Sequence, residues 1–234
     1  MPIFYCENIT EDHFFLPEDE SRHCVKVLRK KEGDIIHVTD GKGKLIEAII
    51  SSAHPKKTEC RFNRIIGQDI KKPFYTHIAI APTKNIDRIE WFVEKCCELG
   101  IDEISFLLCK HSERKVLKMD RLEKKAISAL KQSGNYTKAL LNEMIPINRF
   151  IANVKEQSRF IAFVDDENTN GLRQLAQPNK SYCILIGPEG DFSREELELA
   201  LANSFQKISL GNSVLRTETA GLIACHSINF IHDY

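Results

Sequence analysis

The chain has 234 residues, enough for one large domain or for one small and one medium domain. Hydrophobic residues make up 42% and charged residues 28% of it, which excludes a disordered or collagen-like chain. Thirty-three Lys and Arg balance 33 Asp and Glu, so the total charge argues against a simple polyanion-binding protein.

The sequence gives no sign of a membrane segment or a metal site. No apolar run approaches the ~18 residues that a membrane span needs, and the first residues lack a signal-peptide pattern. The eight cysteines are scattered, without a CxxC pair or zinc-ligand spacing, and most lie in apolar stretches. We therefore predict a cytoplasmic protein with reduced cysteines, no membrane association and no metal.

The first 66 residues predict a small β-barrel with one helix. The helix begins after Pro17 and runs to about Arg29. The glycines of segment 40–43 favour a tight hairpin turn. Strands are predicted at Ile3–Tyr5, Phe14–Leu16, Ile35–Thr39, Leu45–Ser52 and Cys60–Ile66. The polar segment 67–73 contains Gly and Pro, so we predict one domain at residues 1–70 and a second at residues 74–234.

From Tyr75 onward the pattern alternates between strands and helices. Strands are predicted at Thr76–Ala81, Glu103–Leu108, Phe160–Val164, Ser181–Ile186 and Lys207–Leu210. Helices are predicted at Asp87–Leu99, Asp120–Ser133, Leu172–Ala176, Ser193–Ala202 and Thr217–Ile231. This alternation indicates an α/β domain with a mostly parallel sheet, in which ligands bind at the carboxyl ends of the strands. The loops after Val164, Ile186 and Leu210 are therefore the predicted ligand-binding loops.

The loop at 187–192 is rigid and well delimited. It holds two glycines and a proline, and Ser193 with Glu196 forms a capping-box pattern at the next helix. A plain strand-to-helix turn is the structural alternative. The chain contains neither GxGxxG nor a P-loop sequence, which argues against a Rossmann dinucleotide site or a P-loop site.

The loop at 210–221 places polar groups at the start of the last helix. Thr217 and Glu218 fit either a simple helix start or a functional site. Arg216 is harder to explain structurally, because its guanidinium adds donors beside the free N–H groups of a helix start. An anionic or carbonyl-rich ligand would suit this arrangement.

The neutral total charge conceals an uneven distribution. Residues 74–160 carry a net +4 and residues 161–234 a net −5. Between Lys110 and Lys138, nine Lys or Arg face three acids, a local +6. Such a run is more often a solvated helix face, but it permits a nucleic-acid hypothesis.

Several stretches together resemble one known family. They are His23–Arg29, Gly33-Asp34, Ser112-Glu113-Arg114, Leu130–Ser133, Ile186–Gly190 and Leu210–Ala220. In this order, across essentially the whole chain, they are similar to the RsmE family, the uridine-N3 methyltransferases of small-subunit ribosomal RNA in the SPOUT superfamily. Two positions depart from the family pattern: Asp191 replaces a usual glycine, and Asn135 replaces a usual arginine.

The resemblance implies a PUA-like β-barrel that helps to hold RNA and a SPOUT-type α/β domain with a deep trefoil knot. It implies S-adenosyl-L-methionine as cofactor, a homodimer, and a uridine in the decoding region of 16S ribosomal RNA, naked or within the small ribosomal subunit, as substrate. The cofactor would lie against the two loops and, more weakly, the strand end at Val164-Asp165. The implied cofactor-binding residues are Val164, Ile186, Gly187, Pro188, Glu189, Gly190, Leu210, Gly211, Ser213, Val214 and Leu215.

The chemistry of uracil methylation suggests roles for three further residues. Arg216 would hold a uracil carbonyl or a phosphate, and Glu218 would make a polar contact or act as base. Arg114 would clamp RNA from the neighbouring subunit. The predicted RNA-binding residues are His23, Arg29, Arg114, Lys115, Lys118 and Gln132. His23 and His111 fit a role in packing or in contacting the RNA backbone better than a catalytic one.

Two other functions stay open at this level. A non-catalytic dimeric RNA-binding module would explain the barrel and the basic segment but not the 211–218 loop. An enzyme that processes phosphates or nucleotides could use the 187–190 loop as an anion cradle, although the lysine and hydroxyl of a P-loop are missing.

Overall fold

A computed structural model describes residues 2–164 and 170–233. The chain forms two compact units. The first contains Met1–Lys71 together with Ile127–Lys138, and the second contains Lys72–Ala126 and Ala139–Tyr234. Among the described residues, no helix is long and apolar enough to cross a membrane.

The first unit is built on a five-stranded sheet. Its strands are β1 (Ile3–Tyr5), β2 (His13–Phe15), β3 (Ile35–Thr39), β4 (Lys44–Ser52) and β5 (Glu59–Gln68). The order is β1-β3-β4-β5-β2, with β1 parallel to β3 and the other pairs antiparallel. The predicted barrel is thus a half-barrel sheet with β1 and β2 at its edges. The predicted helix is shorter than expected: α1 (Glu18–Arg22) continues only as a π-helical turn, His23–Val27.

Residues 127–138 complete the first unit, although the sequence analysis placed them in the second domain. The Gly43 N–H donates to the Tyr136 carbonyl at 2.9 Å, and the Lys138 N–H donates to the Gly41 carbonyl at 2.8 Å. The Asp69 carboxylate accepts from the Tyr136 N–H and the Thr137 hydroxyl at 2.9 and 2.8 Å. A distant segment therefore supplies backbone partners for the β3–β4 hairpin turn.

The second unit is an α/β fold on a six-stranded parallel sheet, which confirms the predicted fold class. Its strands are β6 (Tyr75–Ile80), β7 (Glu103–Leu108), β8 (Leu140–Pro146), β9 (Ser158–Ala162), β10 (Ser181–Ile186) and β11 (Gln206–Ile208). Their order is β11-β9-β10-β6-β7-β8, and every pair is parallel. The helices are α2 (Ile86–Glu98), α3 (Met119–Ser133), α4 (Ile147–Ile151), α5 (Leu172–Leu175), α6 (Arg194–Ala202) and α7 (Thr217–Ile231). β8 and α4 are absent from the sequence prediction. The trefoil knot stays a prediction.

Separate hydrophobic clusters hold each unit together. In the first unit, Phe4, Phe14 and Ile36 pack with the buried thiols of Cys24 and Cys60. In the second, residues of β6, β7, β9 and β10 pack against α4 and α6. All eight cysteines are buried and free, so they act as small core residues as predicted. Burial raises the pKa of Cys24 to about 11, which keeps its thiol protonated at neutral pH.

Candidate active site

A cavity of about 740 Å³ opens where three neighbouring strands end. Its walls come from the loops after β9, β10 and β11, which the sequence analysis singled out. Because these strands are adjacent and parallel, their carboxyl ends meet at one edge of the sheet. Ala162 pairs with Ile186 on one neighbouring strand and with Ile208 on the other. These three lining residues therefore form one row across the sheet.

Most residues predicted to bind the cofactor line this cavity. The lining set contains Val164, Ile186, Gly187, Pro188, Glu189, Leu210, Gly211, Ser213, Val214 and Leu215. Gly190 is not among the lining residues: its carbonyl accepts from Nδ1 of His111 at 3.0 Å. Asp165, proposed as part of a third wall, lies outside the described residues.

Glycine is required in these loops for two different reasons. A Cβ on Gly187 would lie 3.1 Å from the Asp191 carboxylate and 3.2 Å from the Phe192 ring, so this position is crowded. A Cβ on Gly211 would meet nothing within 4 Å. Gly211 instead has φ +124°, which residues with a side chain rarely adopt. The positive φ is therefore sufficient reason for a glycine at position 211.

The capping box fixes the loop after β10. The Ser193 hydroxyl accepts from the Glu196 N–H at 3.3 Å, and the Glu196 carboxylate accepts from the Ser193 N–H at 2.8 Å. Asp191, which departs from the family pattern, has φ +58° and lines the cavity. Burial raises the pKa of its carboxyl, although hydrogen bonds from the Phe192 and Val164 N–H groups act in the opposite direction. The left-handed backbone explains why glycine suits this position and why aspartate can replace it.

Two arginines face the cavity from different elements. Arg216 is the N-cap of α7, and its side chain makes no capping hydrogen bond. Arg88, in the first turn of α2, also lines the cavity, although the sequence analysis did not select it. Glu218 is not a lining residue: it is buried, with one oxygen 3.8 Å from Nε of Arg88. The cavity thus presents two guanidinium groups with a carboxylate beside one of them.

Comparisons with known proteins agree with this architecture. The RNA methyltransferase domain family matches residues 71–229, and the RNA methyltransferase PUA domain matches residues 16–62. The ribosomal RNA small subunit methyltransferase E of Buchnera aphidicola is 29% identical over 96% of this chain and 91% of its own length. The chain belongs to the RsmE family.

Solved structures support the RsmE assignment over the full length. A probable rRNA-methyltransferase from Porphyromonas gingivalis is 40% identical, with a TM-score of 0.91, and covers 100% of this chain and 99% of its own. The ribosomal RNA small subunit methyltransferase E from Neisseria gonorrhoeae, solved with bound S-adenosyl methionine, is 26% identical, with a TM-score of 0.86. That match covers 99% of this chain and 98% of the other. The N-terminal half-barrel is therefore PUA-like, as predicted.

Arg114, the third predicted catalytic residue of this RsmE-family chain, is anchored near the cavity. Its Nε donates to the Thr83 carbonyl at 3.0 Å, and its guanidinium also contacts the Lys84 carbonyl. The Lys84 N–H in turn donates at 3.0 Å to Glu189, a cavity residue. Arg114 thus braces the β6–α2 loop within its own chain.

The basic segment is less positive in the fold than in the sequence. Lys110 pairs with Glu195 at 3.2 Å, and Lys131 pairs with Glu20 at 2.6 Å. Arg121 and Lys125 also pair with acids, which come from α2. These acids are distant in sequence, so a local charge count misses them. The segment consequently retains fewer uncompensated cations than the local +6 indicates.

The predicted RNA-binding residues of the RsmE-family chain differ in exposure. Arg29, Lys115, Lys118 and Gln132 are exposed. His23 is half-buried, with its ring 5.9 Å from the Phe4 ring, as a packing role requires. His111 is exposed and bonded to the Gly190 and Asp191 carbonyls, so it supports the cavity loop.

A polar cluster that does not line the cavity contains the buried His77 and Cys183 and the half-buried Glu156. Ligand-type atoms of His77, Glu156 and Cys183 lie within 4.8 Å of one another. However, His77 already uses both ring nitrogens, Nδ1 with Glu156 at 2.5 Å and Nε2 with the Ser105 hydroxyl at 2.8 Å. Hydrogen bonds within the protein thus account for the cluster. The predicted absence of a metal stays a prediction.

Proposed function

We propose that this chain transfers the methyl group of S-adenosylmethionine to N3 of a uridine in the decoding region of 16S ribosomal RNA. The observation that carries the proposal is the cavity at the ends of β9, β10 and β11 in a chain of the RsmE family. A member of this family from Neisseria gonorrhoeae has been solved with S-adenosyl methionine bound. The specific nucleotide follows from the family resemblance.

The residues present fit this cofactor. A volume of about 740 Å³ lies within the usual range for small-molecule sites. The exposed Val214 and the half-buried Leu215 give apolar surface that suits a purine ring, and Gly187 and Gly211 bring main-chain atoms to the lining without side chains. The lining also holds charges of both signs, on Arg88, Glu189, Asp191 and Arg216. A ligand with a ring and both charged and neutral polar groups needs such a mixed lining.

When bound, the cofactor supplies an electrophilic methyl group. The chain therefore has to bind both reactants, orient them and allow the N3 proton of uracil to leave. In the proposal, the three loops hold the cofactor. Arg216 lines the cavity at the start of α7, where its guanidinium can donate hydrogen bonds to a uracil carbonyl or an adjacent phosphate. Its positive charge would stabilise the negative charge that develops on the uracil oxygens as N3–H is lost.

A direct test combines binding with product mapping. Calorimetry should detect S-adenosylmethionine binding to the full chain, and ATP should not compete. Small-subunit RNA incubated with protein and cofactor should gain N3-methyluridine, mapped as a stop to reverse transcription. Binding of the cofactor without methylation would favour the non-catalytic RNA-binding module. Failure to bind the cofactor would refute the proposal.

The proposal includes a homodimer with ribosomal RNA as its partner. Support for self-association comes from α7, which is apolar on most sides and leaves Ile223 and Phe230 exposed in the single chain. In this dimer Arg114, anchored on its own β6–α2 loop, would face the partner's cavity. The mixed-charge cavity alone would hold an RNA polyanion weakly, so a basic residue from a second copy would strengthen binding.

Complementation tests the shared site. Arg114→Ala and Arg216→Ala should each inactivate the homodimer. Co-expression should restore roughly a quarter of wild-type activity, because random pairing gives half heterodimers and each has one intact site. A purified heterodimer that is as inactive as its parents would mean that the two residues act within one chain.

A further inference from the structure

Arg88 occupies a position that local helix energetics disfavour. It lies in the first turn of α2, where the helix dipole repels a cation by about 0.3–1 kcal/mol. The N-cap requirement of α2 is already met by Asn85, whose side chain accepts from the Asp87 N–H at 3.0 Å. The start of α2 is therefore capped without the Arg88 side chain, and Arg88 lines the cavity.

Glu218 is the counter-charge of Arg88. It is only 7% exposed, and a glutamate is almost never buried in this way unless it is paired. Its Oε1 lies 3.8 Å from Nε of Arg88. Among the described residues, its Oε2 is buried without a hydrogen-bond partner. A carboxylate in such surroundings is costly unless a cation compensates it, and Arg88 is the cation at hand.

The geometry also shows what Glu218 does not do. Glu218 is not a lining residue of the cavity, so it does not reach a ligand there directly. Arg88 lines the cavity, and its side chain is 36% exposed. A carboxylate near Nε leaves the two terminal nitrogens of a guanidinium available as donors.

We propose that Arg88 is a ligand-binding residue of the cavity and that Glu218 is its positioning residue rather than a general base. This inference rests on the proposed function. The ligand chemistry is an anionic oxygen, which has two sources: the carboxylate of S-adenosylmethionine and the uracil oxygen that gains charge as N3–H is lost. Either would receive donors from Arg88, with Arg216 as the second guanidinium at the cavity.

A double-mutant cycle in the full chain separates positioning from base catalysis. The variants are Arg88→Ala, Glu218→Gln and their combination, with initial rates measured on 16S RNA. If Glu218 acts through Arg88, Glu218→Gln should lower turnover by about tenfold or more alone but less than about twofold in the Arg88→Ala background. A general base would instead lose roughly 100-fold or more in either background. That second outcome would overturn the positioning role.

Calorimetry with S-adenosylmethionine and no RNA identifies the source of the oxygen. Weaker cofactor binding by Arg88→Ala would assign the cofactor carboxylate. Unchanged binding with reduced turnover would assign the uracil oxygen. Arg88→Ala with wild-type affinity and turnover would overturn the inference, while the methyltransferase proposal would still stand on the wild-type measurements.

Two further variants distinguish a specific effect on the site from a general loss of folding. Arg88→Lys keeps the charge and the aliphatic stem but not the forked donors, so it should fold and fall between wild type and Arg88→Ala. Full activity of Arg88→Lys would show that only charge is required. The matched control is Arg194→Ala, which breaks the exposed Arg194–Glu198 pair at 3.1 Å on α6 and should leave turnover unchanged.

Discussion

Replacing Gly221 by alanine should destabilise the protein, although the change normally stabilises a helix. Gly221 lies in the middle of α7, where alanine is favoured over glycine by ~1 kcal/mol. Here an added Cβ would lie 2.5 Å from one ring carbon of Phe92, 3.0 Å from another and 3.2 Å from Cδ1 of Ile80. Carbon atoms prefer separations of about 3.5–4.0 Å, so α7 and α2 would have to separate by roughly 1 Å.

The neighbours leave no easy way to relieve this contact. Phe92 and Ile80 are fully buried, so neither side chain can swing into solvent. Overpacking of this kind costs about 1–3 kcal/mol, which exceeds the helix-propensity gain by up to ~2 kcal/mol. At roughly 2–4 °C per kcal/mol for a chain of this size, the melting temperature should fall by up to about 8 °C.

Thermal unfolding followed by circular dichroism checks the prediction. Phe92→Leu removes the clashing ring and provides the matched background. Gly221→Ala should cost clearly less in Phe92→Leu than in wild type, since the two side chains compete for one space. A rise in melting temperature for Gly221→Ala, or equal effects in both backgrounds, would refute the reasoning.

Three further outcomes are expected. Gly211→Ala should weaken S-adenosylmethionine binding because φ +124° is strained for alanine. Gly134→Ala, also at positive φ but not a lining residue of the cavity, should leave the calorimetric affinity unchanged. Burial alone would raise the pKa of Glu156, but its contact with the neighbouring histidine lowers it overall, so this carboxylate stabilises the fold above pH ~4.5 and loses that effect as pH falls further. Urea unfolding should therefore show Glu156→Gln less stable than wild type at pH 7, with the gap closing in acid; a constant gap would contradict this. Replacing three exposed lysines by glutamine should reduce the salt slope of RNA binding by roughly 2–3, and an unchanged slope would mean that they do not contact phosphates. These lysines are Lys115, Lys118 and Lys124.

Elements with a strong local signal could be predicted from the sequence. β3, β7, β10 and α7 have the predicted bounds, because each is a short apolar run or an apolar helix with clear flanking residues. β8 was missed because it is an edge strand with many exposed positions, so it lacks a continuous apolar run. α4 was missed because its five residues are too few to show a helical period.

Some features of the candidate site could also be predicted from the sequence, and others could not. The loops after β9, β10 and β11 could be selected because parallel strands place their carboxyl ends together. Arg88 could not, since its relation to Glu218 depends on how α2 and α7 pack. The ion pairs that neutralise part of the basic segment could not be predicted either, because Glu20 and Glu195 lie far along the chain from Lys131 and Lys110.

The discontinuous first unit has a consequence for biosynthesis. Its strands are all present once Lys71 has been made, but the turn between β3 and β4 still lacks the backbone partners that Tyr136 and Lys138 supply. The ribosome needs roughly 4–14 s to add the roughly 70 residues between them, at ~5–20 residues per second. During that interval the turn between β3 and β4 lacks these two hydrogen-bond partners. The N-terminal unit of this protein is therefore completed by a segment that is synthesised only after the first strands of the second unit.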